Sequence, residues 1–202
     1  MLSSWKKTVT LFLGLLAPGV TFASGLCDTP TNLVQDCGFE ATNTFATSPW
    51  SVDQLLNTAS PPTIGVEAAL ANSGNNFAAF GSIPAGADGG IYQDLQTQIG
   101  TTYIFSFYLG SDGQVPDDFK VKWGGTTIYS QNNLPNFNYS QLTFSETATS
   151  SITRIEFEGS DQPYQLALDD VFVGVPEPSV AILTPLLLLV PFGIRRYQKR
   201  AV

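Results

Sequence analysis

From residue 31 to residue 173 the chain is cut into short runs of alternating apolar and polar residues by glycine, asparagine, serine, threonine and proline. A two-residue period suits a pleated strand with one buried and one wet face. Phe119, Val121 and Trp123 alternate with Lys120 and Lys122. Thr153, Ile155 and Phe157 alternate with Arg154, Glu156 and Glu158, and Tyr103, Phe105, Phe107 and Leu109 stand opposite Ile104, Ser106 and Tyr108. Strands are expected near 31–35, 50–56, 64–70, 76–82, 90–97, 102–110, 118–123, 126–130, 139–146, 151–158 and 164–173. Gly124-Gly125 supplies the positive φ that a two-residue hairpin loop requires. No amphipathic helix of about ten residues or more interrupts this pattern. Many short strands on one core predict an all-β domain, a jelly-roll β-sandwich.

The two ends obey different rules. Lys6 and Lys7 precede an apolar run, Val9–Leu16, and Thr21-Phe22-Ala23 offers small residues before a cut. This is the pattern of a secretory signal peptide over residues 1–23, with cleavage after Ala23 or Gly25. At the other end, Pro176-Glu177-Pro178 is followed by an uncharged segment, 179–194, and then by Arg195, Arg196, Lys199 and Arg200. That segment reaches roughly 24 Å as a helix, short of the ~30 Å hydrocarbon core. It can span if the flanking cations snorkel and the bilayer thins. The basic stop at 195–200 favours a cytoplasmic C-terminus. The alternatives are a plain anchor or a buried helix. Motif, apolar run and arginine pair, in that order, resemble the C-terminal signal of PEP-CTERM proteins over 176–202. The resemblance implies an exosortase-type processing enzyme as partner, membrane anchoring before processing, and then the cell surface or extracellular matrix.

Between the ends lies one domain, residues 24–175. Only Lys120, Lys122 and Arg154 of the nine basic residues fall between 24 and 178, against all seventeen acidic residues, a net charge of −14 over that stretch. Nucleic acid is excluded as a partner, because phosphate binding needs basic patches. Cys27 and Cys37 enter an oxidising compartment if the chain is exported, so a disulfide is expected, with two free thiols as the alternative. The chain has no histidine, which removes His-based triads and His-ligated zinc. No nucleophile elbow, P-loop or zinc-protease motif occurs, and the expectation is a protein that is not an enzyme.

Three stretches resemble galactose-binding-like β-sandwiches, the superfamily of many carbohydrate-binding modules. They are Asn32-Leu33-Val34 with Gly38-Phe39-Glu40, Ser73–Gly81, and Leu168-Asp169-Asp170-Val171-Phe172-Val173. Asp36-Cys37 departs from that pattern, which usually has Asn-Gly. In such a fold the first and last strands lie side by side, and hard oxygen ligands can converge on structural calcium. By resemblance the ligands are Glu40 and Asp169 with the Gly38 carbonyl; Asp170 replaces Asp169 if the register differs by one. A second acidic group, Asp112, Asp117 and Asp118, lacks EF-hand spacing and reads as a polar loop.

Sugar recognition would use exposed rings beside amides and carboxylates. The candidates are Tyr108, Trp50 and Tyr92, with Tyr129 and Tyr139 behind them and Gln93, Asn132 and Asn133 as polar companions. Aromatic residues of a sandwich more often belong to its core. Two functions remain: a surface-sorted module that binds extracellular polysaccharide, or a calcium-stabilised structural or adhesive protein of the envelope or biofilm.

Overall fold

Alternating side chains need two surfaces, one dry and one wet, and the chain supplies them with two antiparallel sheets packed face to face. The computed structural model describes residues 27, 29–56, 59–81, 87–162 and 164–176. Within them the strands are β1 (Ser51–Val52), β2 (Thr63–Val66), β3 (Asn76–Phe80), β4 (Gly89–Gln96) and β5 (Thr102–Ser111). There follow β6 (Asp117–Trp123), β7 (Thr126–Asn132), β8 (Phe137–Thr147), β9 (Ile152–Asp161) and β10 (Leu166–Gly174). One sheet has the order β1-β4-β9-β6-β7 and the other β2-β3-β10-β5-β8. We call them sheet I and sheet II. The signal peptide, Glu177, Pro178 and the apolar tail lie outside the described residues. No helix among the described residues is long and apolar enough to cross a membrane.

The predicted faces hold. Phe119, Val121, Ile155 and Phe157 of sheet I meet Phe105, Phe107, Leu109 and Leu168 of sheet II, all fully buried. Ring centroids of Phe107 and Phe157 lie 5.1 Å apart at 84°, and those of Phe80 and Phe119 lie 5.4 Å apart at 90°. Such edge-to-face pairs add about 0.5–1.5 kcal/mol each beyond the area they bury. Gly124 and Gly125 have φ of 55° and 83° and join β6 to β7, as the hairpin reading requires.

The expected strand at 31–35 is not one. Its residues run beside β10 but make only an irregular connection. Leu33 N–H donates to the Val173 carbonyl (2.8 Å), while the Asn32 side chain bonds both the Val171 carbonyl (3.1 Å) and the Val173 N–H (3.0 Å). An asparagine side chain that satisfies the neighbouring backbone replaces the ladder. Cys27 and Cys37 form a disulfide with Cα atoms 5.3 Å apart, which ties the start of the domain to this segment.

Candidate functional site

The strand parity that buries Phe119 and Phe157 puts Lys120, Lys122, Arg154, Glu156 and Glu158 on the outward face of sheet I. Register then aligns them: Lys120 faces Glu158, Lys122 faces Glu156, Tyr92 faces Glu156 and Asp94 faces Arg154. All three basic residues of the domain therefore lie on one surface. Among the described residues no strand covers it, yet Glu156 and Glu158 are only 7% and 5% exposed. The segment after β1 walls it in. A Cβ on Gly90 would lie 2.5 Å from Leu56 Cδ1 and 3.5 Å from Asp53 Cβ.

The charges are paired within this recess. Lys122 bonds Glu158 and stands 3.9 Å from Glu156. Lys120 bonds Asp88 and lies 3.0 Å from Asp118, which also accepts a hydrogen bond from Ser160. Arg154 holds Asp94 with two hydrogen bonds of 2.8 and 2.9 Å, and its guanidinium sits 3.6 Å from the centroid of the Tyr92 ring. Burial, and then a carboxyl–carboxylate hydrogen bond to Asp53, push Glu156 up to about 7. Burial works against the charge on Asp53 as well, but the bond to Glu156, the Leu55 N–H and the charges of Arg154 and Lys122 together outweigh it, and Asp53 titrates below its usual value. The pair shares a proton near neutrality. Chemically this is a dense set of acceptors and donors on one outward sheet face, with its glutamates buried and the Tyr92 ring beside Arg154.

The sequence-derived ring candidates separate. Trp50 is 1% exposed, packed between Phe39 (5.4 Å) and Phe157 (5.9 Å), with its indole N–H donated to the Asp36 carbonyl. A ring in the core cannot stack on a sugar, so Trp50 is not a contact residue. Tyr92 lies on the outward face of sheet I. Tyr108 faces outward from sheet II, where it pairs with Asp169 and Gln141, and so belongs to the opposite side of the molecule. Gln93 turns inward and bonds the Gln35 backbone through both amide atoms (2.8 and 3.0 Å). The Tyr129 ring packs against Phe144, 6.1 Å away.

Sheet II also borders a cleft of about 680 Å³ between the segment before β3 and the start of β8, lined by Leu70, Phe77, Phe137, Tyr139 and Tyr164 with Asn136 and Asn138. Its rings are largely committed: Phe77 is buried against Gly65, and the Tyr139 hydroxyl donates to the Leu70 carbonyl (2.8 Å). Tyr164, 58% exposed, is the free one.

Glu40, Gly38, Asp169 and Asp170 do come together, around the loop at 72–76. Glu40 Oε1 accepts the N–H groups of Asn75 (2.7 Å) and Asn76 (2.8 Å). Asp169, with no exposure, accepts those of Asn72 (2.9 Å) and Ser73 (3.1 Å) on Oδ2 and that of Asp170 on Oδ1 (2.8 Å). Asp170, at φ 49° in a bulge of β10, takes the Asn72 amide and the Ser73 hydroxyl, both at 2.7 Å. Burial pushes Asp169 up to about 7, and the neighbouring Asp170 charge adds to this. All these donors are hard oxygens, which suits calcium in type. Their geometry suits a loop clamp better. Each of the Asp169 and Asp170 oxygens already accepts a hydrogen bond, and Glu40, Asp169 and Asp170 do not bring their oxygens within 4.8 Å of one another. The group that does, Cys27, Cys37 and Asp170, has both sulfurs in a disulfide and offers no thiolate.

No family model matches the sequence, and no curated protein is similar to it. Solved structures are similar in fold. A family 61 carbohydrate-binding module in complex with β-1,4-galactotriose superposes with a TM-score of 0.56 at 15% identity, over 72% of this chain and 99% of that one. The CBM22-1 xylan-binding domain of Xyn10C from Paenibacillus barcinonensis gives 0.50 at 15% identity, over 70% and 93%. The K2 cleaved adhesin domain of Lys-gingipain gives 0.51 at 12% identity, over 69% and 96%. The domain shares the two-sheet fold of these structures. Identity at this level speaks to fold and not to ligand.

Proposed function

We propose that this is an exported, non-catalytic module that binds a neutral polysaccharide on the outward face of sheet I. The observation that carries the reading is the recess of Tyr92, Lys120, Lys122, Arg154, Glu156 and Glu158. Desolvating so many charges on a face that no strand covers works against stability, and such groups cluster where a ligand is to be met. Sugar hydroxyls both donate and accept, and match mixed carboxylates and ammonium groups. Six carboxylates against three cations disfavour polyuronates, since like charges repel. The folds resembled include modules described with a galactotriose and as xylan-binding, both neutral sugars.

Sorting completes the proposal. The PEP-CTERM-like tail, with Pro176, Glu177 and Pro178, would hold the chain in the inner membrane until an exosortase-type enzyme releases it to the surface or matrix. Deleting 176–202 should divert the protein to the soluble exported fraction; unchanged surface display would refute the sorting role. Calcium at Glu40, Gly38 and Asp169 or Asp170 is the weaker part of this reading, because loop donors already satisfy those oxygens.

A glycan array probed with the purified protein tests the binding role. Retention on neutral glucans, galactans or xylans, absent on polyuronates, is expected. A folded protein that binds no glycan would favour the second reading, a structural or adhesive envelope component. One observation supports that alternative: among the described residues Trp50, Trp123 and eight of the eleven phenylalanines are buried, which leaves tyrosines as the main surface rings.

A further inference from the structure

Asp117 and Asp161 are directly opposed across the β6–β9 pair. Asp117 has the parity of Phe119 and Val121, and Asp161 that of Ile155 and Phe157, so both point between the sheets, at one end of the sandwich. They are 4% and 1% exposed. Adjacent like charges in the interior are strongly unfavourable unless something compensates them.

Hydrogen bonding does not compensate them. Asp117 Oδ1 accepts the Leu134 N–H (2.9 Å), but Asp117 Oδ2 and both oxygens of Asp161 have no hydrogen-bond partner. The backbone N–H of Gln162 is near enough only to favour the Asp161 charge slightly. Three orphaned carboxylate oxygens in one buried place are the opposite of the Asp169 arrangement, where every oxygen is taken. Asp112 lies in the loop between β5 and β6, and its charge with that of Asp117 adds to burial in pushing Asp161 up to about 7. Asp112 is itself held beside the segment before β8, with its carbonyl accepting the Asn136 amide (2.6 Å).

We propose that Asp117 and Asp161 hold a divalent cation, calcium in preference to magnesium, at this end of the sandwich, with the charge of Asp112 adding to its attraction. Asp161 offers both oxygens to one ion, a bidentate mode that calcium accepts and octahedral magnesium disfavours. Loop carbonyls and water complete the shell. The affinity belongs to the range of extracellular modules, on the order of 10⁻⁴–10⁻³ M.

The test is calorimetric titration of calcium into the full chain after chelator treatment, with melting curves in chelator and in calcium. Wild type should bind calcium and melt higher with it. Asp161→Asn and Asp117→Asn should each weaken binding by at least about tenfold, whereas Glu67→Gln, outside both acidic groups, should keep the calcium response. In chelator, Asp161→Asn should melt at or above wild type, because it removes an uncompensated buried charge. Asp117→Asn retains the acceptor for Leu134 and serves if the other variant does not fold. The proposal is overturned if wild type binds no calcium, if both variants bind as wild type does, or if the response disappears only with Asp169→Asn.

Discussion

Single residues decide which sequence expectations survive. Trp50 opens the stretch expected as a strand at 50–56, of which only Ser51–Val52 pairs, and a ring at a strand's end does not show in the sequence whether it faces solvent or core. The structure wedges it among Phe39 and Phe157. Trp50→Ala should therefore destabilise the protein by about 3–5 kcal/mol, as large aromatic deletions in cores do. Chemical denaturation measures this, and a loss below about 1 kcal/mol would place the ring outside the core. Glu156 and Glu158 show the converse. Their alternation with Ile155 and Phe157 reads correctly as an outward face, but that face is recessed, and a period of two carries no information about what walls it in. The usable signal was elsewhere: the domain's three cations occupy outward positions of two strands that become neighbours.

At the scale of elements, loops supplied what strands could not. β3 to β10 were legible, to within a few residues, because alternation marks both existence and face. The segment at 31–35 misled because its apolar residues suggest pairing, while Asn32 makes the backbone bonds through its side chain. The 72–76 loop is fixed by Glu40 and Asp169, and Gly74 sits there at φ 63°, where a Cβ would lie 2.2 Å from Glu40 Oε1. Gly74→Ala should cost about 1–3 kcal/mol through strain at positive φ and displacement of that carboxylate. Urea denaturation checks it; an unchanged midpoint would mean that the clamp does not bear on stability. The Cys27–Cys37 link closes a loop of ten residues. Replacing both cysteines with serine should lower stability by about 2–3 kcal/mol.

The whole molecule is an acidic body with several carboxyl groups held partly protonated. Burial first, then neighbouring carboxylates or a shared proton, push Glu156, Asp161 and Asp169 each up to about 7. Unfolded, such groups titrate near 4. Between these values the folded protein binds more protons than the unfolded chain, so its stability falls as pH rises from about 4 through about 7. The melting temperature in chelator should accordingly be higher near pH 5 than near pH 8. Calcium should recover part of the loss at the higher pH if Asp117 and Asp161 take up the ion. A flat profile would mean that these acids are not buried as charged groups.

The central claim, a polysaccharide site on the outward face of sheet I, is tested most directly by affinity electrophoresis of the wild type, of Tyr92→Ala with Glu158→Gln, and of Tyr108→Ala with Tyr164→Ala. Each variant is checked for folding in a gel without polysaccharide. The account predicts that a neutral polysaccharide retards the wild type and the Tyr108/Tyr164 variant, and that the Tyr92/Glu158 variant runs free. Equal retardation of the Tyr92/Glu158 variant, with loss of retardation on the sheet II side, would contradict it and move the site to the cleft beside Tyr139.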